Sequence, residues 1–171
     1  IAVCSVAGTN FLPFVKLLGP ESLSIPFAVI TDEDPVAEKP PLAHNRILSL
    51  VSAIDPEYEY SDDTATLFDE ATADGVFVTR HTLEIATFRC GRKMSVTKTI
   101  EELSRNKKAR ERAASWRDDP GSLDADRLLG DIEASGKGRF AQRLASRISK
   151  MKGNACPDSV KEAIAYVAER V

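Results

Sequence analysis

At 171 residues, 43% of them hydrophobic and 29% charged, the sequence has the length and apolar content for a packed core, which excludes a disordered or fibrous chain. No apolar run approaches the ~20 residues that cross a bilayer as a helix, and no charged segment precedes the first apolar run as it would in a secretory leader. The net charge of −3 hides a division: residues 1–88 carry 4 basic and 14 acidic side chains and residues 89–152 carry 17 basic and 9 acidic, so a part suited to metal ions adjoins a part suited to a polyanion.

Residues 1–7 (IAVCSVA) read as a small apolar strand closed by Gly8-Thr9-Asn10. Because Ile1 opens inside that run without an initiator Met, the expectation is a fragment of a longer protein. Phe11, Phe14, Val15, Leu17 and Leu18 then recur at helical spacing until Gly19-Pro20 stops the helix. Residues 25–31 give a second strand, and strand, helix, strand in this compass predicts a βαβ unit with parallel pairing. Thr9 and Asn10 would then share a sheet edge with Asp32, either capping the helix or facing a ligand.

The second strand empties into Asp32-Glu33-Asp34-Pro35. Side chains alternate along an extended backbone, so Asp32 and Asp34 are expected on one side and Glu33 on the other. Paired carboxylates at the carboxyl end of a parallel strand lie where open α/β sheets place their ligands, and they suit a hard cation such as Mg²⁺. A solvated acidic loop is the plainer reading of the same residues. Residues 35–43 form a Pro-rich rim, residues 44–54 a helix, and residues 65–71 a short helix within an acidic, turn-rich stretch. Residues 75–79 are the third strand. Thr82 can cap a short helix holding Leu83, Ala86 and Phe88, which puts Glu84 in its first turn. There Glu84 either complements the helix dipole or adds a carboxylate to the Asp32 edge.

Beyond Ser95 strand signals vanish, and residues 96–116, 123–135, 137–152 and 157–171 are helical by pattern. In the third of these, Phe140, Leu144, Ile148 and Met151 form a core stripe, with Arg139, Arg143, Arg147 and Lys150 about 100° around the helix. Such a basic stripe is either a solvated face or a track for phosphates. Ser135-Gly136-Lys137-Gly138 fails as a phosphate-binding P-loop, since helix precedes it and Gly138 stands where Ser or Thr is needed. Lys137 is still an accessible cation at a Gly-flanked helix start. Cys4, Cys90 and Cys156 are odd in number and scattered, which fits buried thiols of a reducing compartment and a cytoplasmic location. His44 and His81 are isolated, which argues against a His-based zinc site.

Taken together, Val6-Ala7-Gly8-Thr9-Asn10-Phe11, the run Val29 to Pro35, Thr82-Leu83-Glu84 and Gly136-Lys137-Gly138-Arg139-Phe140-Ala141 resemble the C-terminal catalytic region of OLD-family nucleases. The resemblance implies an α/β fold, a Toprim-like parallel sheet flanked by helices, over residues 1–88. A mostly helical basic region would follow over 89–171, its last helix free to pack back on the core. It implies metal-dependent hydrolysis of DNA phosphodiesters with one or two Mg²⁺ or Mn²⁺ ions. Asp32, Asp34 and Glu84 would hold metal, Glu84 and Lys137 would be catalytic, and Arg139, Arg143, Arg147 and Lys150 would contact DNA. The implied partners are DNA and an N-terminal ABC-type ATPase domain of the same polypeptide, with a homodimer allowed and no membrane.

Two departures stand out. Glu33 occupies a position commonly Gly in the family, and the Glu-Gly motif that opens the Toprim pattern would precede Ile1. Competing readings are a haloacid-dehalogenase-like phosphatase with Asp32 as nucleophile, since Asp32-Glu33-Asp34-Pro35-Val36 also fits that pattern, and a non-catalytic DNA-binding or dimerising module.

Overall fold

The computed structural model describes residues 1–6 and 8–171. They form two compact units, Ile1–Thr82 with Asp158–Val171, and Leu83–Pro157. The division falls between Thr82 and Leu83, at the start of a helix. In chain order the elements are α1 (Leu12–Leu18), β1 (Val29–Asp32), α2 (Ala43–Ile54), α3 (Thr64–Ala71) and β2 (Val76–Thr79) in the first unit. The second unit holds α4 (Leu83–Thr87), a π-helical turn (Phe88–Arg92), α5 (Lys93–Leu103), α6 (Lys107–Asp118), α7 (Ala125–Ser135) and α8 (Lys137–Ile148). The chain then returns to the first unit as α9 (Asp158–Ala168).

In the first unit β1 and β2 pair in parallel, with Val29 opposite Val76 and Asp32 opposite Thr79. Parallel neighbours need a long crossover, and α2 and α3 supply it. Val29 and Val76 pack with Val15 of α1, Ile47, Leu50 and Val51 of α2, and Leu67 of α3. Phe77 meets the Tyr166 ring of α9 edge-on at 5.8 Å, and the Thr79 and Ser159 hydroxyls bond at 2.8 Å. The expected strand at residues 1–7 does not form over its described part. Ile1 is 75% and Val3 93% exposed, and neither belongs to the sheet. A β-branched run becomes a strand only where a neighbour takes its ladder hydrogen bonds. The partner of β1 is β2, so the βαβ unit is β1–α2–α3–β2 and not the one predicted around α1. Ala7 lies outside the described residues.

Gly75 leads into β2 with φ of +77°, and a Cβ there would come within 2.7 Å of Tyr166 Cε1 and 3.0 Å of the Phe27 carbonyl oxygen. Both backbone and space demand glycine. Gly75→Ala should therefore cost about 2 kcal/mol of stability, read as a lower thermal midpoint. An unchanged midpoint would mean that α9 does not hold this approach in solution.

The second unit is helical and centred on Ile85, Phe88, Val96, Ile100, Trp116, Leu128, Ile132, Phe140 and Leu144. Arg112 of α6 grips the buried Asp131 of α7 at 3.0 and 2.5 Å. Arg92, 6% exposed, donates to the carbonyls of Gly153 at 2.7 Å and Ala155 at 2.9 Å, which pins the segment leading to Pro157. The helix predicted over 96–116 is two helices. Ser104 turns extended, and Asn106 caps α6 by accepting from the Lys108 N–H at 2.9 Å. The helix predicted over 137–152 ends at Ile148, so Lys150 and Met151 lie beyond it and Met151 is 42% exposed rather than a core residue.

Candidate functional site

In the first unit the acidic run is held by its neighbours. The Glu33 N–H donates to the Thr79 and His81 carbonyls at 3.0 and 3.1 Å, and the Asp34 N–H donates to His81 O at 3.2 Å. The carboxylate of Glu33 accepts from the His81 N–H at 2.9 Å. On the other side, the N–H groups of Leu42 and Ala43 at the start of α2 donate to the Asp34 and Glu33 carbonyls. The loops leaving β1 and β2 are thus tied into one frame at the carboxyl ends of both strands.

This frame corrects the alternation expected along Asp32-Glu33-Asp34. β1 ends at Asp32, and Asp34 has φ of +51°, in the left-handed region, so period-two geometry stops before it reaches Asp34. Glu33 is a brace between loops rather than a bystander on the far face. Thr9 and Asn10 do not cap α1 either. Its N-cap is Phe11, without a side-chain cap, and both residues are exposed.

Arg46 of α2 was not singled out by pattern. Its guanidinium donates to Asp34 Oδ2 at 2.9 Å and to Thr31 Oγ1 at 2.8 Å, with a side chain only 12% exposed. Arg46 is the sole Lys or Arg between Lys39 and Arg80, and that isolation was the available signal.

In the second unit α4 brings Glu84 to Lys137 at the start of α8, with Oε1 and Nζ 3.6 Å apart. Gly136 precedes Lys137 with φ of +89°, a conformation that lets α7 and α8 meet across one residue. The Glu84 side chain is 14% exposed, and its Oε2 is buried without a hydrogen-bond partner among the described residues. Thr82 Oγ1 too is buried without a partner among the described residues, so the cap expected from Thr82 is not made. A buried carboxylate oxygen left without a donor is costly unless a cation or donor completes it.

The basic stripe of α8 is partly neutralised from within. Arg139 donates to the Ser135 carbonyl at 2.8 Å. Arg143 and Arg147 both reach Glu102 in the last turn of α5: Arg143 Nε donates to Oε1 at 2.6 Å and Arg147 donates to Oε2 at 2.7 Å. The hydrogen bond from Arg143, with the Arg147 charge beside it, holds the Glu102 carboxyl below the usual glutamate range. Together with Ser146 and Lys150 these residues line a cavity of about 270 Å³.

Among the described residues, no three His, Cys, Asp or Glu side chains gather as a metal cage. Cys4 is exposed rather than a buried thiol, and no described helix is long and apolar enough to cross a membrane.

No family model matches the chain, and no curated protein does. Solved structures do. The C-terminal region of the Burkholderia pseudomallei OLD protein is 40% identical over 98% of this chain and 82% of that one, with a TM-score of 0.88. The corresponding region of the Xanthomonas campestris pv. campestris OLD protein is 35% identical over 99% of this chain and 80% of that one, with a TM-score of 0.81.

Proposed function

Because this chain belongs to the OLD family, matching the C-terminal regions of its members over nearly its whole length, we propose that it is a Toprim-type, metal-dependent DNA endonuclease region. The observation that carries this reading is Glu84, a buried carboxylate with one oxygen unpartnered and the other 3.6 Å from the Lys137 ammonium. That is a carboxylate oxygen open to a cation, beside an exposed positive charge able to meet a phosphate.

The donor chemistry suits Mg²⁺ or Mn²⁺: Asp32 and Asp34 in the first unit, and Glu84 in the second, each offer hard oxygen ligands. Mg²⁺ commonly takes one or two carboxylates and fills its remaining positions with water and substrate phosphate, so a site need not be a complete protein cage. When bound, the metal supplies activation of water and neutralisation of the leaving oxygen. Arg46 fixes the orientation of the Asp34 carboxylate, leaving its Oδ1 for the ion. Glu33 and His81 hold the loop that carries Asp34. Lys137 stabilises charge that builds on the phosphate, and Arg139, Arg143, Arg147 and Lys150 neutralise the DNA backbone. An N-terminal ABC-type ATPase domain of the same polypeptide would control access to the substrate, and a homodimer would present two such regions.

Plasmid nicking tests the reading. Nicking should require Mg²⁺ or Mn²⁺, stop with a chelator, and be lost in Asp32→Asn in the polypeptide extended to include the ATPase domain. Nicking that persists in chelator, or in Asp32→Asn at the wild-type rate, would overturn it.

A further inference from the structure

Two of the arginines assigned above to the DNA backbone already hold an acid. Arg143 and Arg147 are i and i+4 on α8, adjacent on one face, and like charges so placed repel. Glu102 answers both at once, one oxygen to each guanidinium. Glu102 also sits in the last turn of α5, where an acid opposes the helix dipole, so its own helix gives it no support. Across helices, its carboxylate presents two oxygens to two guanidinium forks, the arrangement in which a phosphodiester presents its two non-bridging oxygens.

We propose that Glu102 is an internal phosphate mimic, seated between Arg143 and Arg147 until a backbone phosphate of DNA displaces it. This rests on the reading of the chain as a DNA endonuclease and adds a device that tunes its grip. The cavity brings three positive groups, Arg143, Arg147 and Lys150, against the single negative Glu102, with the Ser146 hydroxyl as a further donor. An incoming phosphate therefore meets a net positive seat even before Glu102 leaves. Displacement is cheap, because Arg143 is 52% and Glu102 34% exposed and ion pairs in contact with water contribute little. After it, Arg147 keeps the Thr99 hydroxyl, 3.3 Å from its Nε, as a fixed point. The acid thus lowers non-specific affinity and leaves the arginines pre-positioned.

Binding of a short duplex DNA across a salt titration tests this. Glu102→Gln keeps the shape and removes the charge, and should bind several-fold to tenfold more tightly near ~0.1 M salt, with a salt slope steeper by about one unit. Glu102→Ala, which also empties the seat, should do the same, and both should keep the wild-type thermal midpoint to within a few degrees. The gain should vanish when Arg143→Ala and Arg147→Ala are present together, since Glu102 acts through them. Wild-type affinity and slope in both Glu102 variants would overturn the proposal while leaving the endonuclease reading intact. A gain that survives loss of both arginines would overturn it as well, reducing Glu102 to diffuse charge. Failure of the wild-type protein to bind duplex DNA even at low salt would remove the endonuclease reading, and this proposal with it.

Discussion

Glu84→Gln should lower metal-dependent cleavage by about 10³-fold, roughly 4 kcal/mol of transition-state stabilisation, while DNA affinity stays near wild type. The substitution keeps volume and removes the charge with which Glu84 would bind a cation. Stability should move the other way. A carboxylate with a buried, unpartnered oxygen is expensive, so the neutral amide should leave the unfolding midpoint unchanged or raise it. Lys137→Ala should slow single-turnover cleavage about 10²-fold with saturating protein, again with little effect on affinity. If the pair were only an ion pair at a helix junction, its loss would cost a fraction of a kcal/mol of stability, since Lys137 is 58% exposed, and cleavage would not change. A wild-type rate in Glu84→Gln would remove Glu84 from the active site.

The largest stability effect is expected at Phe140, fully buried in the first turn of α8 and three residues from Lys137. Phe140→Ala should cost about 3–5 kcal/mol, because the ring's contacts with a tightly packed core are lost and the space is only partly refilled. The single tryptophan, Trp116, lies in the same cluster and is 4% exposed, so its fluorescence reports the second unit alone. Its urea midpoint should fall sharply in Phe140→Ala and much less in Phe140→Leu. Phe14→Ala, at a ring half exposed on α1, should leave it in place. A wild-type Trp116 midpoint in Phe140→Ala would mean that α8 does not pack as described, and the placement of Lys137 would fall with it.

Several features were legible because they depend on neighbours in the chain. Apolar runs and their breakers marked β1, β2, α1, α2 and α3 to within a few residues, and Gly136 with its positive φ marked the α7–α8 junction. The ordered motifs around Asp32, Glu84 and Lys137 were enough to identify the OLD family. Local pattern failed where pairing decided the outcome. Residues 1–6 have strand composition but no place in the sheet, and the chain 104–106 breaks a helix that periodicity would have run through.

What the sequence determined by itself is therefore the inventory: the two segments that become β1 and β2, the acids at the end of one, a glutamate and a lysine in family context, and a basic helical segment. The tertiary structure alone decided who holds whom. It turned Glu33 into a brace for His81, gave Asp34 to Arg46, left one oxygen of Glu84 unpartnered, and set Glu102 between Arg143 and Arg147. Hydrogen bonds and charge pairs act over a few ångströms in space, between residues 12 to 48 positions apart here. Periodicity reports only which face a residue shares with its near neighbours, so partners at that separation become visible only once the chain has folded.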